Sequence, residues 1–179
     1  MTFLELAQRR GTTRGFSPRP VDAPDLAYVL AAGRVAPTAC NKQPQRILVV
    51  QDPENLTRVR RAYQTFGAPC ALIVCRDTRQ ALIRPFDGKC SGDLDLGIVC
   101  DHMMLAARDR GLGSVLVGLF DPRILQREFH LPDHLEITAL LFLGYPAGDF
   151  PSPHRHDAER KPLEETVRYE TWDEEPAPA

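Results

Sequence analysis

The chain has 179 residues and a mass of 20.0 kDa, a length that suits one domain or one domain with an appendage. Lys and Arg number 22 against 24 Asp and Glu, and a net charge of −2 speaks against a dedicated nucleic-acid binder. With 43% hydrophobic and 26% charged residues a wholly disordered chain is excluded, and no run of about 18 apolar residues is present to span a membrane.

Met1 leads directly into the amphipathic segment Phe3-Leu-Glu-Leu-Ala7 without the long apolar core of a signal peptide, so the expected address is the cytoplasm. Cys40, Cys70, Cys75, Cys90 and Cys100 fit that address: the number is odd and no C-x-x-C pair occurs.

A first helix is expected over roughly 3–10, and a second from Pro24 to Val35, with Pro24 in a first turn where its missing N–H costs nothing. Residues 37–44 read as a loop, Arg46–Val50 as a strand, and Asp52-Pro53 opens a third helix running to about Thr65. Cys70–Cys75 is an apolar strand that turns its two cysteines to opposite faces, so they cannot share a metal. After a polar stretch to Asp93, residues 94–110 carry Leu96, Val99, Cys100, Met103, Met104 and Ala107 at helical spacing on more than one face, which describes a largely buried helix. Gly111-Leu-Gly113 stops it, with Gly111 expected as the left-handed cap. Then come a strand at 115–119, a short helix at about 122–129 and a long strand at 137–144. Beyond Tyr145-Pro146 the chain is polar, and its tail is expected to be disordered or laid across another surface. The alternation indicates an α/β or α+β domain with one mixed sheet over residues 1–170, followed by a flexible tail at 171–179.

Several chemistries are rejected on pattern. Gly111-x-Gly113 followed by Gly118 lacks the third glycine of a dinucleotide fingerprint, and it leaves a helix for a strand, the reverse of that motif. No G-x-S-x-G elbow occurs. His130 and His134 are separated by Pro132, His154 and His156 lie in the polar tail as an incidental solvated pair, and His102 reads as a hydrogen-bonded core residue; no metal site is expected. Two segments are more suggestive. Arg9-Arg10-Gly-Thr12-Thr-Arg14 sets guanidinium groups beside hydroxyls, the donor set of a phosphate monoester site, though such a cluster also makes an ordinary solvated face. Thr38-Ala-Cys-Asn41-Lys-Gln43-Pro44 offers neutral amides that could pair with a heterocycle, though it also reads as a plain polar turn. Cys40 has no His nearby in sequence to activate it.

Taken in order, these segments resemble the nitroreductase family of FMN-dependent oxidoreductases. Arg10-Gly-Thr-Thr-Arg14-Gly-Phe16-Ser is similar to the family's opening R-x-S-x-R-x-F, and Ala36-Pro-Thr-Ala-Cys-Asn41-Lys-Gln43-Pro44 to its A-P-S-x-x-N-x-Q-P loop. The strongest stretch runs from Asp95 to Ala107 and on through Gly111-Leu-Gly113-Ser-Val-Leu-Val-Gly118-Leu-Phe-Asp121, and the likeness closes on Leu140–Pro146 and Arg160-Lys-Pro-Leu. The resemblance implies an α+β fold, a mixed sheet flanked by helices, in an intertwined homodimer with FMN at the subunit interface. It implies that Arg10, Thr12 and Arg14 hold the phosphate and ribityl chain, with Gly11 contributing backbone and Arg160 reaching the phosphate from the C-terminal segment. Pro37, Thr38, Asn41 and Gln43 would come from the partner subunit, and Val117 and Gly118 would line the isoalloxazine ring. The implied reaction is ping-pong reduction of a small electron-poor acceptor, a nitroaromatic or quinone, by NAD(P)H; catalysis would be centred on the flavin, with no catalytic side chain. Another flavin reaction on the same fold, dehalogenation or ring oxidation, and flavin binding without turnover are the alternatives. The sequence departs from the family in carrying Thr12 for Ser, Gly11 for a commonly basic residue and Gln45 where Trp often stands, and Arg76–Cys90 shows no substrate-covering helix.

Overall fold

A computed structural model of the chain describes residues 1–172; the rest of the expected tail, 173–179, lies outside the described residues. Local signals set most element boundaries. Thr2 and Glu5 exchange side-chain and backbone hydrogen bonds in a capping box that opens α1 (Phe3–Arg9). α2 (Ala23–Val35) begins with Pro24 in its first turn. β1 (Gln45–Val50) follows, and Asp52 then caps α3 (Pro53–Arg60) by accepting from Glu54 N and Asn55 N, both at 3.0 Å. β2 (Cys70–Asp77), α4 (Gly92–Asp109), β3 (Gly113–Val117), α5 (Pro122–Glu128) and β4 (Leu135–Gly144) complete the body. Two short helices, α6 (His156–Glu159) and α7 (Leu163–Thr166), lie in the C-terminal segment.

Gly111 takes φ +72° as expected of the cap on α4. Leu112 N donates to Ala107 O at 2.8 Å and Gly111 N to Arg108 O at 3.1 Å, the paired closure that satisfies the last carbonyls. The third helix is shorter than expected: it ends at Arg60, not near Thr65. Phe66 at φ +56° and Gly67 at φ +79° turn the chain so that the Phe66 ring meets Phe142 edge-on, with centroids 6.4 Å apart. Burial of that aromatic outweighs the helical preference of Arg61-Ala62.

The sheet order is β1-β2-β4-β3, and every pairing among the four strands is antiparallel. The mixed character expected of the sheet reduces to one isolated parallel bridge, Thr12 to Ser114. α2 and α4 cover one face, where Leu72, Val74, Leu141 and Leu143 meet Val29, Val99 and Met103. Leu56, Val59 and Leu125 from α3 and α5 cover the other, against Ile73, Leu140 and Phe142. β2 and β4 are therefore buried on both sides, which is why they read as unbroken apolar runs rather than alternating ones.

Cys70 and Cys75 fall in the two different cores, as their parity requires. Burial pushes the thiols of Cys70 and Cys100 up to about 12 and that of Cys75 up to about 11. Native protein treated with iodoacetamide at mild alkaline pH is expected to label Cys40, which is exposed, and spare these three until it is denatured, as peptide mass mapping would read. Rapid native labelling of Cys70 or Cys100 would contradict the packing.

Candidate functional site

The basic segment is built at the edge of β3. Beyond the bridge at Thr12, Thr13 N donates to Ser114 O at 2.9 Å, so residues 12–13 run beside β3 as a short extra strand. Thr13 is buried and Thr12 and Arg14 are exposed, the alternation of extended chain. The close approach needs glycine: a Cβ on Gly113 would lie 2.8 Å from Thr13 Cγ2, and one on Gly11 would lie 2.8 Å from Pro151 Cγ. The second contact leaves a side chain at position 11 little room. Thr12, Arg14 and Asp149 line a shallow pocket of about 220 Å³ beside Pro146 and Pro151.

The guanidinium groups of Arg10 and Arg14 have no ion-pair, hydrogen-bond or ring partner among the described residues, whereas Arg76, Arg79, Arg84 and Arg123 all bind carboxylates. Two unengaged forks beside a free hydroxyl are the donor set that a phosphate monoester requires, so the residues present fit the phosphate end of FMN.

The C-terminal segment is tied to the same place by a residue that sequence reading missed. Arg155 donates to Gln8 O at 3.1 Å and Arg10 O at 2.7 Å, carbonyls at the C-terminal end of α1. His156 Nε2 contacts Gln8 O at 3.1 Å. The expectation of an incidental solvated pair is thus corrected for His156; His154 is exposed. The signal was out of reach because the α1 carbonyls that Arg155 binds lie 145 and more residues away. Arg160 follows about one helical turn later, exposed, its Nε 3.4 Å from His156 Nδ1. His102 is half-buried, with Nδ1 3.0 Å from Ile98 O, and His130 and His134 lie beyond the end of α5. No cluster of three metal-ligating side chains occurs among the described residues.

The amide loop lies elsewhere. Residues 39–41 form a single tight turn in which Cys40 and Asn41 take φ of 49° and 53°, and Gln43 just beyond it takes 48°. None is glycine, and each such residue costs on the order of 1–3 kcal/mol unless its surroundings hold it. Gln43 N donates to Thr38 Oγ1 at 3.0 Å, and Ala39 N donates to Asp95 Oδ1 at 2.8 Å. Pro37, Asn41 and Gln43 are exposed and Thr38 half-buried.

Asp77 anchors the far side. Its N–H donates to Pro44 O at 2.8 Å, and its carboxylate takes a two-point bond from Arg79 at 3.0 and 2.9 Å. Arg46, 3.6 Å from the same carboxylate, donates to Gln43 O at 3.1 Å. The Arg79 fork holds the Asp77 carboxyl well below the usual carboxylate range. A depressed pKa contributes stability above the unfolded value and loses it as pH falls toward the folded one. Wild type should therefore lose melting temperature below about pH 4 more steeply than Asp77→Asn, which has no such proton to take up. Parallel acid limbs in a pH series of thermal melts would contradict this.

Register fixes the relation of the two segments. The amide loop enters β1 at Gln45, opposite Arg76 and Glu136, whereas Thr12 pairs with Ser114, opposite Leu143 and Cys70. Six residues along β2 and at least three strand spacings separate them, about 25 Å at ordinary sheet dimensions. Within one chain they stand at diagonally opposite corners of the sheet. Val117, at the end of β3, is buried, and Gly118 just beyond it is exposed and faces open space.

A family model described as the nitroreductase family matches the chain over residues 6–68 and 60–145. The chain belongs to the nitroreductase family. A crystal structure of a nitroreductase family protein from Clostridium difficile 630 superposes with a TM-score of 0.93 at 45% identity, covering 96% of this chain and all of that one. A Thermus thermophilus protein named NADH dehydrogenase is 31% identical over 189 residues, 86% of this chain and 91% of its own. A Bacillus subtilis protein named FMN reductase [NAD(P)H] is 26% identical over 156 residues, 75% of this chain and 61% of its own. The α+β nitroreductase fold expected from the motifs is thereby established, and the family is one of oxidoreductases. No helix among the described residues is long and apolar enough to cross a membrane.

Proposed function

We propose that this nitroreductase-family protein is an FMN-dependent oxidoreductase that uses NAD(P)H to reduce nitroaromatic or quinone-like acceptors, acting as a homodimer with two flavin sites at the subunit interface. The observation that carries the reading is the pair of unengaged guanidinium groups of Arg10 and Arg14, fixed beside Thr12 by the pairing of this segment with β3. The name of the B. subtilis relative supports the choice of cofactor and reductant.

Arg10, Arg14 and Arg160 neutralise the phosphate, Thr12 adds a neutral donor, and Gly11 gives its backbone. Val117 and Gly118 present main chain to the ring, where an N–H aimed at developing negative charge favours the reduced state. Pro37, Thr38, Asn41 and Gln43 of the partner subunit close the same site. The separation of about 25 Å between the two segments within one chain favours this division. When bound, FMN would supply the redox chemistry that links the nicotinamide to the acceptor. No acid–base pair is demanded of the side chains, in keeping with a site made of cations, amides and main chain.

Co-expression of two defective chains tests the arrangement. An Arg10→Ala/Arg14→Ala chain is paired with an Asn41→Ala/Gln43→Ala chain and the heterodimer is isolated by dual tags. A two-chain site leaves one intact flavin site per heterodimer, so about half of the FMN content and of the NAD(P)H–quinone activity returns. If each site belongs to one chain, neither returns. Wild type that keeps FMN but oxidises neither NADH nor NADPH with any quinone would favour a flavin-binding protein.

A further inference from the structure

We infer that Asp95 is a positioning residue whose buried carboxylate holds the amide loop 38–43 in its strained, presenting conformation. Asp95 lies in the first turn of α4 and is 1% exposed, yet no cation pairs with it among the described residues. Its two oxygens are instead satisfied by neutral donors: Oδ1 accepts from Ala39 N at 2.8 Å and Oδ2 from Ser91 Oγ at 2.9 Å. The N-terminus of α4 compensates only part of the cost of a carboxylate without a counter-ion on a helix face that otherwise buries Leu96, Val99 and Cys100, and an apolar residue would pack there at less cost. What the carboxylate adds is a hold on the loop.

The loop needs one. Cys40, Asn41 and Gln43 are left-handed within four residues, and the N–H bound by Asp95 immediately precedes them. The Thr38–Gln43 bond closes the turn on itself, and Asp77 and Arg46 fix its exit into β1. Asp95 fixes its entry to α4, the long central helix of the core. Strained backbone persists only where the surroundings over-determine it, and here the entry hold is a single carboxylate. Its effect on the flavin rests on the function proposed above; its hold on the loop does not.

The test uses the full chain, with and without FMN. In flavin-free protein, Asp95→Ala is expected to speed amide exchange of the peptide covering 38–43 by about tenfold or more while β2 stays protected. FMN titration should weaken about tenfold, the size of one lost positioning bond, and the midpoint potential of the bound flavin should shift. Asp95→Asn keeps an acceptor for Ala39 N and can donate to Ser91 Oγ, so it should restore loop protection, affinity and potential. Should Asp95→Ala fail to fold, Ala39→Pro removes the donor from the other side at the opening residue of the turn, where proline is tolerated, and should release the loop in the same way. Unchanged loop exchange in the alanine or proline variant, or an asparagine variant as defective as the alanine one, overturns the inference. If wild type takes up no FMN, the flavin reading fails, and exchange alone decides the role of Asp95.

Discussion

Arg10→Ala and Arg160→Ala are each expected to weaken FMN binding by about 10–150-fold without unfolding the protein, the equivalent of losing about 1.5–3 kcal/mol of charge-assisted contact with a phosphate. Both side chains leave their terminal nitrogens free of protein partners among the described residues, so truncation breaks no internal ion pair. Arg10 should lie toward the upper end, because it is half-buried at the end of α1, where a charge is poorly screened. Arg160 is exposed and should lie toward the lower end, with a loss that shrinks as salt rises. Titration of flavin fluorescence at low and high salt reads both effects. Unchanged affinity in both variants would remove the phosphate assignment.

Gly113→Ala is expected to lower stability by about 1–3 kcal/mol and to impair flavin retention at the same time. The added methyl would lie 2.8 Å from both Cβ and Cγ2 of Thr13, a short β-branched side chain with little freedom to yield. The backbone must part instead, and the part that gives is the Thr13–Ser114 hydrogen bond that seats the basic segment on β3. For a chain of this length the melting temperature should fall by roughly 2–12 °C. Retained flavin after desalting should fall with it, because Thr12 and Arg14 flank the displaced residue. A variant with a lowered melting point and undiminished FMN content would show that the pairing with β3 does not set the site.

The residues differ in how much of this was legible beforehand, and the difference is one of range. Gly111 could be read as a cap because the Schellman closure involves only neighbouring residues. The opposed facing of Cys70 and Cys75 follows from the two-residue period of a strand, and the deep burial of α4 from apolar residues on several of its faces. The end of α3 was misjudged because the deciding contact, Phe66 on Phe142, joins residues distant in sequence. Asp95 and Ala39 are 56 residues apart, and Arg155 and Arg10 are 145 apart. Nothing local distinguishes such an Asp or Arg from one on a solvated surface. The left-handed backbone at Cys40, Asn41 and Gln43 was equally hidden, since no glycine marks it. Ordered motifs pointed to the proposed site residues, but the way each segment is held emerges only from the packed sheet.

The proposed site joins this sheet-edge segment to a partner's amide loop around FMN. It is tested most directly by the visible absorption spectrum of the purified protein after incubation with excess FMN and desalting, with the mass of the particle measured on the same sample. A retained flavin spectrum at close to one FMN per chain in a dimer is expected. A folded, dimeric and colourless protein would contradict it.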